Sequence, residues 1–271
     1  MGPAKLMAIL AHPDDESLGF GGTLAKYAAA GVEVHLLTAT RGEAGRYGEF
    51  RPTDAGHPGR DKLAGIREAE LRAAARTLGI KTISLLDYQD AKLDQADPRE
   101  AIRQIADHVR RIRPDVVLTF GPDGAYGHPD HIAISQFTSA ALVAAASERS
   151  PDSGEFPHAV SKLYYLAWPA STWAAYESAF KTLVSMVDSV ERHAVPWPDW
   201  SLTTHIDTRD MSAVVWQAVS CHVSQISNYA RLQHLSTEHH EALWGQQSFY
   251  RVFSTVNGGR RRETDLFEGL Q

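Results

Sequence analysis

The chain has 271 residues, 33 acidic against 27 basic side chains, a formal net charge of −6 and a single cysteine, Cys221. That length sustains a substantial core without staples, and one cysteine excludes an internal disulfide and fits either a cytoplasmic protein, the compartment expected here, or an export route that does not depend on disulfides. The acidic balance excludes broad attraction to nucleic acid, and no stretch approaches the roughly 18 apolar residues that span a bilayer, so no nucleic acid and no membrane is expected as a partner.

Leu6 to Leu10 is continuously apolar and ends at once in Ala-His-Pro-Asp-Asp, which predicts a short buried strand. The acidic residues arrive too soon for a signal peptide. Gly21-Gly22-Thr23 opens a helical pattern that Gly31 ends, and Val32 to about Ala39 supplies a second strand. Arg41 to Gly59 is polar, contains glycine and exceeds an ordinary connector, so a binding loop is expected there. Arg60 to Leu78 returns to helical periodicity, and Thr82 to Leu86 predicts a third strand. Pro98 to Ile112 reads as a helix with proline at its tolerated N-terminal position, and Asp115 to Phe120 as the next strand. Beyond the loop from Gly121 to His131, residues Ile132 to Ala146 form another helical pattern.

Repeated strand and helix units of this size predict an α/β fold with a mostly parallel sheet covered by helices on both faces. Ser147 to His158 is rich in Ser, Pro and acid and reads as a connector before a strand from Lys162 to Trp168. The expected division is a core over 1–150 carrying both histidine-rich loops and a smaller C-terminal part over 151–271, with a single compact domain as the alternative. Trp168, Trp173, Trp197, Trp200, Trp216 and Trp244 gather in that second part, either as core and subunit packing or as an aromatic wall over a sugar ring. Arg260, Arg261 and Arg262 read as a solvated turn.

Ligand sites in such sheets lie beyond the carboxyl ends of the strands, and both histidine-rich loops, after Leu10 and after Phe120, belong to that rim. His12 and Asp15 can turn toward one point, and imidazole nitrogen and carboxylate oxygen are both normal zinc ligands. A catalytic zinc usually takes three protein ligands, and His131 is the best candidate for the third. Asp14 and His128 remain as ionisable neighbours. A free carboxylate beside a metal can take a proton from its water, and an imidazolium can stabilise developing negative charge or protonate a leaving amine. An isolated Asp-Asp pair more often caps a helix, but two clusters, HPDDE and HPDH, each following an apolar strand on one rim, favour a metal site. His193, His205, His234, His239 and His240 are expected to be peripheral or structural.

HPDDE at 12–16 with HPDH at 128–131 resembles the PIG-L/LmbE superfamily of zinc N-deacetylases. The resemblance takes in Gly21-Gly22-Thr23, Thr38 to Glu43, Arg67-Glu68 before Leu78-Gly79, and His222 to Gln225, and is looser after residue 150. It implies a Rossmann-like fold without a nucleotide, since no dinucleotide fingerprint stands in the right place. It also implies one zinc ion per chain on His12, Asp15 and His131, with other divalent metals as substitutes, and Asp14 as general base. His128 would be the charged partner of the tetrahedral intermediate, and Asp130 a carboxylate that orients His128 or a ligand histidine. Tyr126 would lie over the substrate carbonyl, Arg41 and Glu43 in the substrate loop, and His222 would approach from the second half. The implied reaction is hydrolysis of an N-acyl, expected N-acetyl, amide on a small amino-sugar substrate such as an N-acetylglucosaminyl compound, by a homo-oligomer. The alternatives are an amidase acting on a larger thiol conjugate or natural-product amide, and a non-catalytic carbohydrate-binding protein, against which the retained Asp14 argues.

Overall fold

The computed structural model describes residues 2–147, 154–179, 184–187, 189–227, 232, 234–259 and 261–270. Strand β1 (Lys5–Leu10) is buried at every position from Leu6 onward, which is why its sequence is uniformly apolar rather than alternating. It breaks at His12-Pro13 into the single turn α1 (Asp15–Leu18), followed by α2 (Gly21–Ala29) and β2 (Glu33–Thr40), which lies parallel to β1 with Leu6 opposite Val34. Helix α3 (Arg60–Leu78) ends at Gly79, whose φ of +74° suits the left-handed cap position, and β3 (Thr82–Tyr88) then pairs with the outer side of β2.

After β3 the chain changes direction across the sheet. Helix α4 (Pro98–Ile112) starts from Asp97, whose carboxylate accepts the Arg99 N–H, and β4 (Val116–Phe120) returns to pair with the other side of β1. A kinked turn, α5 (Gly124–Gly127), and the long helix α6 (Pro129–Ser147) precede β5 (Lys162–Leu166), parallel to β4. Because right-handed crossovers reverse their face when the winding direction reverses, α4 and α6 pack together on one face and α2 and α3 cover the other. The α/β sheet expected from the sequence is present.

The second half contributes α7 (Ala170–Ala179), a hairpin of β6 (Val184–Val187) and β7 (Val190–His193), then β8 (Thr204–Asp207), α8 (Ser212–Ser220), α9 (Thr237–Trp244) and β9 (Gln246–Ser254). Strand β9 runs antiparallel to β5, and β8 antiparallel to β9, so one seven-stranded sheet has the order β3-β2-β1-β4-β5-β9-β8. The boundary expected near Ser150 and the first arginine of the basic cluster, Arg260, lie outside the described residues. Among the described residues no helix is long and apolar enough to cross a membrane.

Candidate active site

Winding turns one way from β1 through β2 to β3 and the other way from β4 to β5, so the switch point falls between β1 and β4. A crevice opens there at the carboxyl ends of the strands, and both histidine-rich loops leave from it. It holds a cavity of about 380 Å³ lined by His12, Asp14, Asp15, His128 and His131 among others.

Three of these side chains turn donor atoms to one point. His12 Nδ1 lies 3.2 Å from His131 Nε2, His131 Nε2 lies 3.3 Å from Asp15 Oδ1, and His12 Nδ1 lies 3.6 Å from Asp15 Oδ2. The Oδ2 atom of Asp15 accepts the His12 and Ala11 backbone N–H groups at 2.8 and 3.2 Å, which leaves Oδ1 as the outward donor. His131 is fixed by its ring, which stacks on Phe120 with centroids 3.9 Å apart.

His12 reaches the other way with Nε2, to Asp130 Oδ2 at 3.1 Å and Asp90 Oδ1 at 3.2 Å. Burial pulls its pKa down, but the bonds to Asp130 and Asp90 and the charge of Asp15 override it and hold His12 well above its ordinary value. So dense a group of carboxylates calls for positive charge. A cation on Nδ1 supplies it in place of a proton, and this donor set therefore fits a metal ion. Asp130, fully buried, also accepts the Ala91 and Leu93 N–H groups at 2.8 and 3.0 Å, so its oxygens are committed to orienting His12 and a loop rather than to ligation.

Asp14 lines the same cavity as Asp15, and its backbone sits at φ 101°, in the left-handed region. Arg67 holds it there: Nη2 donates to Asp14 Oδ2 at 3.0 Å and to the Pro13 carbonyl, while Nη1 donates to the Gly42 carbonyl at 2.8 Å. Glu16 Oε2 accepts the Asp14 N–H at 2.9 Å. Five non-glycine residues among those described have positive φ, and Asp14, Ala91 and Ala125 line the cavity, which concentrates backbone strain at the site.

His128 Nδ1 accepts the Asp130 N–H at 3.2 Å, so the neutral ring carries its proton on Nε2. Burial and the neighbouring His12 and His131 rings push its pKa down to about 3. The ring thus presents Nε2–H toward the cavity as a donor. The Tyr126 ring stands edge-on to His131 at 5.5 Å, and burial beside Asp15 raises its hydroxyl pKa well above the ordinary value.

Arg41, Glu43 and His222 do not line the cavity. Arg41 is drawn to Glu68 and to Asp87 at 3.0 Å. Glu43 accepts the Asp90 N–H at 2.8 Å, and His222 is buried with Nε2 2.8 Å from Glu16 Oε1. Asp90 itself went unread in the sequence. A lone acid after β3 carries no local pattern, and only the position of that strand end on the same rim could have pointed to it.

Residues 7–142 match the family model described as GlcNAc-PI de-N-acetylase, PIG-L. The chain is 35% identical to the 1D-myo-inositol 2-acetamido-2-deoxy-alpha-D-glucopyranoside deacetylase of Rhodococcus jostii (strain RHA1), over 100% of this chain and 99% of that one. A conserved protein from Thermus thermophilus superimposes with a TM-score of 0.66 at 25% identity, over 93% of this chain and 96% of its own. The N,N'-diacetylchitobiose deacetylase of Pyrococcus horikoshii shares the fold with a TM-score of 0.67 at 23% identity, over 92% of this chain and 83% of its own. With its two histidine-rich loops inside the matched segment and a relative aligned along its whole length, this chain belongs to the GlcNAc-PI de-N-acetylase (PIG-L) family.

Proposed function

We propose that the chain hydrolyses the N-acetyl amide of an N-acetylglucosaminyl compound, releasing acetate and a free amine, with one zinc ion held by His12, Asp15 and His131. The observation that carries this reading is the convergence of His12 Nδ1 and Asp15 Oδ1 on His131 Nε2, at 3.2 and 3.3 Å, beside a carboxylate, Asp14, that lines the same cavity. Ligands about 2.05 Å from a tetrahedral zinc stand about 3.3 Å apart, which suits these two separations. The Rhodococcus jostii relative acts on a 2-acetamido-2-deoxy-glucopyranoside, which supports the amino-sugar head group.

A bound zinc ion lowers the pKa of water and polarises the acyl carbonyl. The rest falls to the side chains. Asp130 and Asp90 accept the Nε2–H of His12, fixing the tautomer that presents Nδ1. Asp14, kept in place by Arg67, takes the proton of the attacking water. His128 through Nε2–H and Tyr126 through its protonated hydroxyl donate to the oxygen that gains charge as the carbonyl carbon becomes tetrahedral, and so favour the transition state over the flat amide. Asp14, having taken the proton of the water, passes it on to the leaving amine. Glu43 contributes by holding Asp90.

The test is metal analysis of gently purified protein, with amine and acetate release from N-acetylglucosaminyl compounds varied at the anomeric substituent. One metal ion per chain, loss of turnover on complete chelation and recovery with zinc are expected. Turnover that survives complete metal removal overturns the metal chemistry. Metal-loaded protein that cleaves another N-acyl compound but none of this panel overturns the amino-sugar assignment.

A further inference from the structure

Asp14 is held by its backbone as well as by its side chain. Arg67 takes the carboxylate, and the Asp14 carbonyl accepts the Ser17 and Leu18 N–H groups at 3.1 and 2.9 Å. The Asp14 N–H goes to Glu16 Oε2 at 2.9 Å. These bonds pin the peptide groups on either side of the Asp14 Cα, and with them the φ of 101° from which the carboxylate is aimed.

Glu16 is fully buried, and donors surround its carboxylate. Besides the Asp14 N–H on Oε2, its Oε1 accepts the Ser17 hydroxyl at 2.6 Å and the Nε2–H of His222 at 2.8 Å. A carboxylate taken out of water needs such partners, because each acceptor left unpaired costs its desolvation. Of these donors only His222 comes from the second half of the chain.

The histidine has no other polar engagement through its ring. It is fully buried, it does not line the cavity, and its Nδ1 has no hydrogen-bond partner among the described residues. The segment that carries it, just beyond α8, is anchored. The Ser224 N–H and hydroxyl donate to Glu70 on α3 at 2.6 and 2.7 Å, and the Ser224 carbonyl accepts the Gly48 N–H at 2.7 Å. The ring is therefore delivered to Glu16 from a stretch fixed against α3 and the loop after β2.

On the N-deacetylase reading above, we propose that His222 and Glu16 are positioning residues for the general base: His222 orients the Glu16 carboxylate, and Glu16 holds the Asp14 backbone so that its side chain meets the attacking water. Neither touches the substrate. Without the His222 donor the buried carboxylate turns to its remaining partners, and its hold on the Asp14 N–H weakens. A positioning role differs from a structural pairing in what changes with it. Misalignment of a base costs rate rather than substrate binding, and the cost disappears once the base itself is gone.

The experiment is a double-mutant cycle on the zinc-loaded full chain with an N-acetylglucosaminyl substrate, with kcat expressed per bound zinc. His222→Leu should lower kcat about tenfold or more, with KM and zinc content near wild type. His222→Gln, whose amide nitrogen reaches the place of Nε2 and can still donate to Glu16, should keep kcat within about threefold of wild type. In the Asp14→Asn background His222→Leu should cost less than about twofold, because the group it positions no longer acts. The full loss repeated in that background, an unchanged kcat in His222→Leu, or a glutamine variant as slow as the leucine one overturns the proposal and leaves the deacetylase reading standing. A wild-type chain that cleaves no N-acetylglucosaminyl compound overturns both. Should His222→Leu not fold, His222→Asn, too short to reach Glu16, takes its place in the cycle with the same expected values.

Discussion

Asp14 and Asp15 are adjacent in sequence and yet meet different partners, and the backbone between them is unusual. Asp15 turns to His12 and His131, whereas Asp14, with its backbone at φ 101°, meets Arg67. Such a conformation costs an L-residue roughly 1–2 kcal/mol, which the bonds from Arg67 and to Glu16 offset. The separation predicts different losses. Asp15→Ala should lose both metal and turnover, whereas Asp14→Asn should keep its metal and lose turnover by roughly 10² or more, because that is what positioned proton transfer contributes. Metal content measured alongside kcat checks this, and equal metal loss in the two variants would mean that their roles are exchanged. At this scale the sequence is readable where chemistry is clustered: HPDDE and HPDH announce themselves by local spacing. Asp90 does not, because it meets His12 only through the sheet order, and neither does the turning of Arg41 toward Glu68 and Asp87, which depends on side chains far along the chain.

The loop after β2 and the helix α3 meet at Gly42, and the fit leaves no room for a side chain. A Cβ there would overlap the Arg67 guanidinium, and Gly42 also has φ +66°. Arg67 crosses this point to reach Pro13 and Asp14, so the glycine is what lets α3 brace the β1 loop. Gly42→Ala should therefore displace the guanidinium, cost roughly 1–2 kcal/mol in stability from the backbone alone, and lower kcat by more than metal loss explains. Thermal unfolding, metal content and kcat measured together check it; a variant with wild-type kcat would show that Arg67 does not position Asp14. The first five strands and their helices were legible because each element of a βα unit carries its own periodicity. Strands β8 and β9 were not. Thr204–Asp207 is short and half polar, and Gln246–Ser254 finds its partner β5 far earlier in the chain, with Ser254 opposite Lys162, so neither shows the turn signals of a local hairpin.

Across the whole molecule, one carboxylate ties the second half to the sheet. Glu263 is buried, and its Oε1 accepts from Lys162 Nζ at 2.8 Å, Asn257 Nδ2 at 2.6 Å and Arg251 Nη1 at 2.9 Å. Its Oε2 accepts from Tyr164 at 2.7 Å and Thr204 at 3.0 Å, so β5, β8, β9 and the C-terminal segment all converge on it. Strand β5 leads directly to Leu166 and Trp168, which places this clasp behind the part of the cavity wall that they form. Burial alone would raise the Glu263 pKa, but the bonds from Lys162, Tyr164 and Asn257 lower it from 4.5 to about 2. The folded pKa lies below the unfolded one, so the unfolded chain binds the proton first. The stabilisation is present above pH 4.5 and is lost as pH falls toward 2, and that shift corresponds to about 3 kcal/mol. Glu263→Gln leaves Lys162 and Arg251 uncompensated in the interior and should destabilise the protein by roughly 3–5 kcal/mol at neutral pH. Urea unfolding of both proteins between pH 7 and pH 3 checks the sign. The stability gap should be widest at neutral pH and narrow below about 4.5 as Glu263 itself takes up a proton. A gap that stays constant over that interval would mean that the carboxylate charge is not what holds the second half to the sheet.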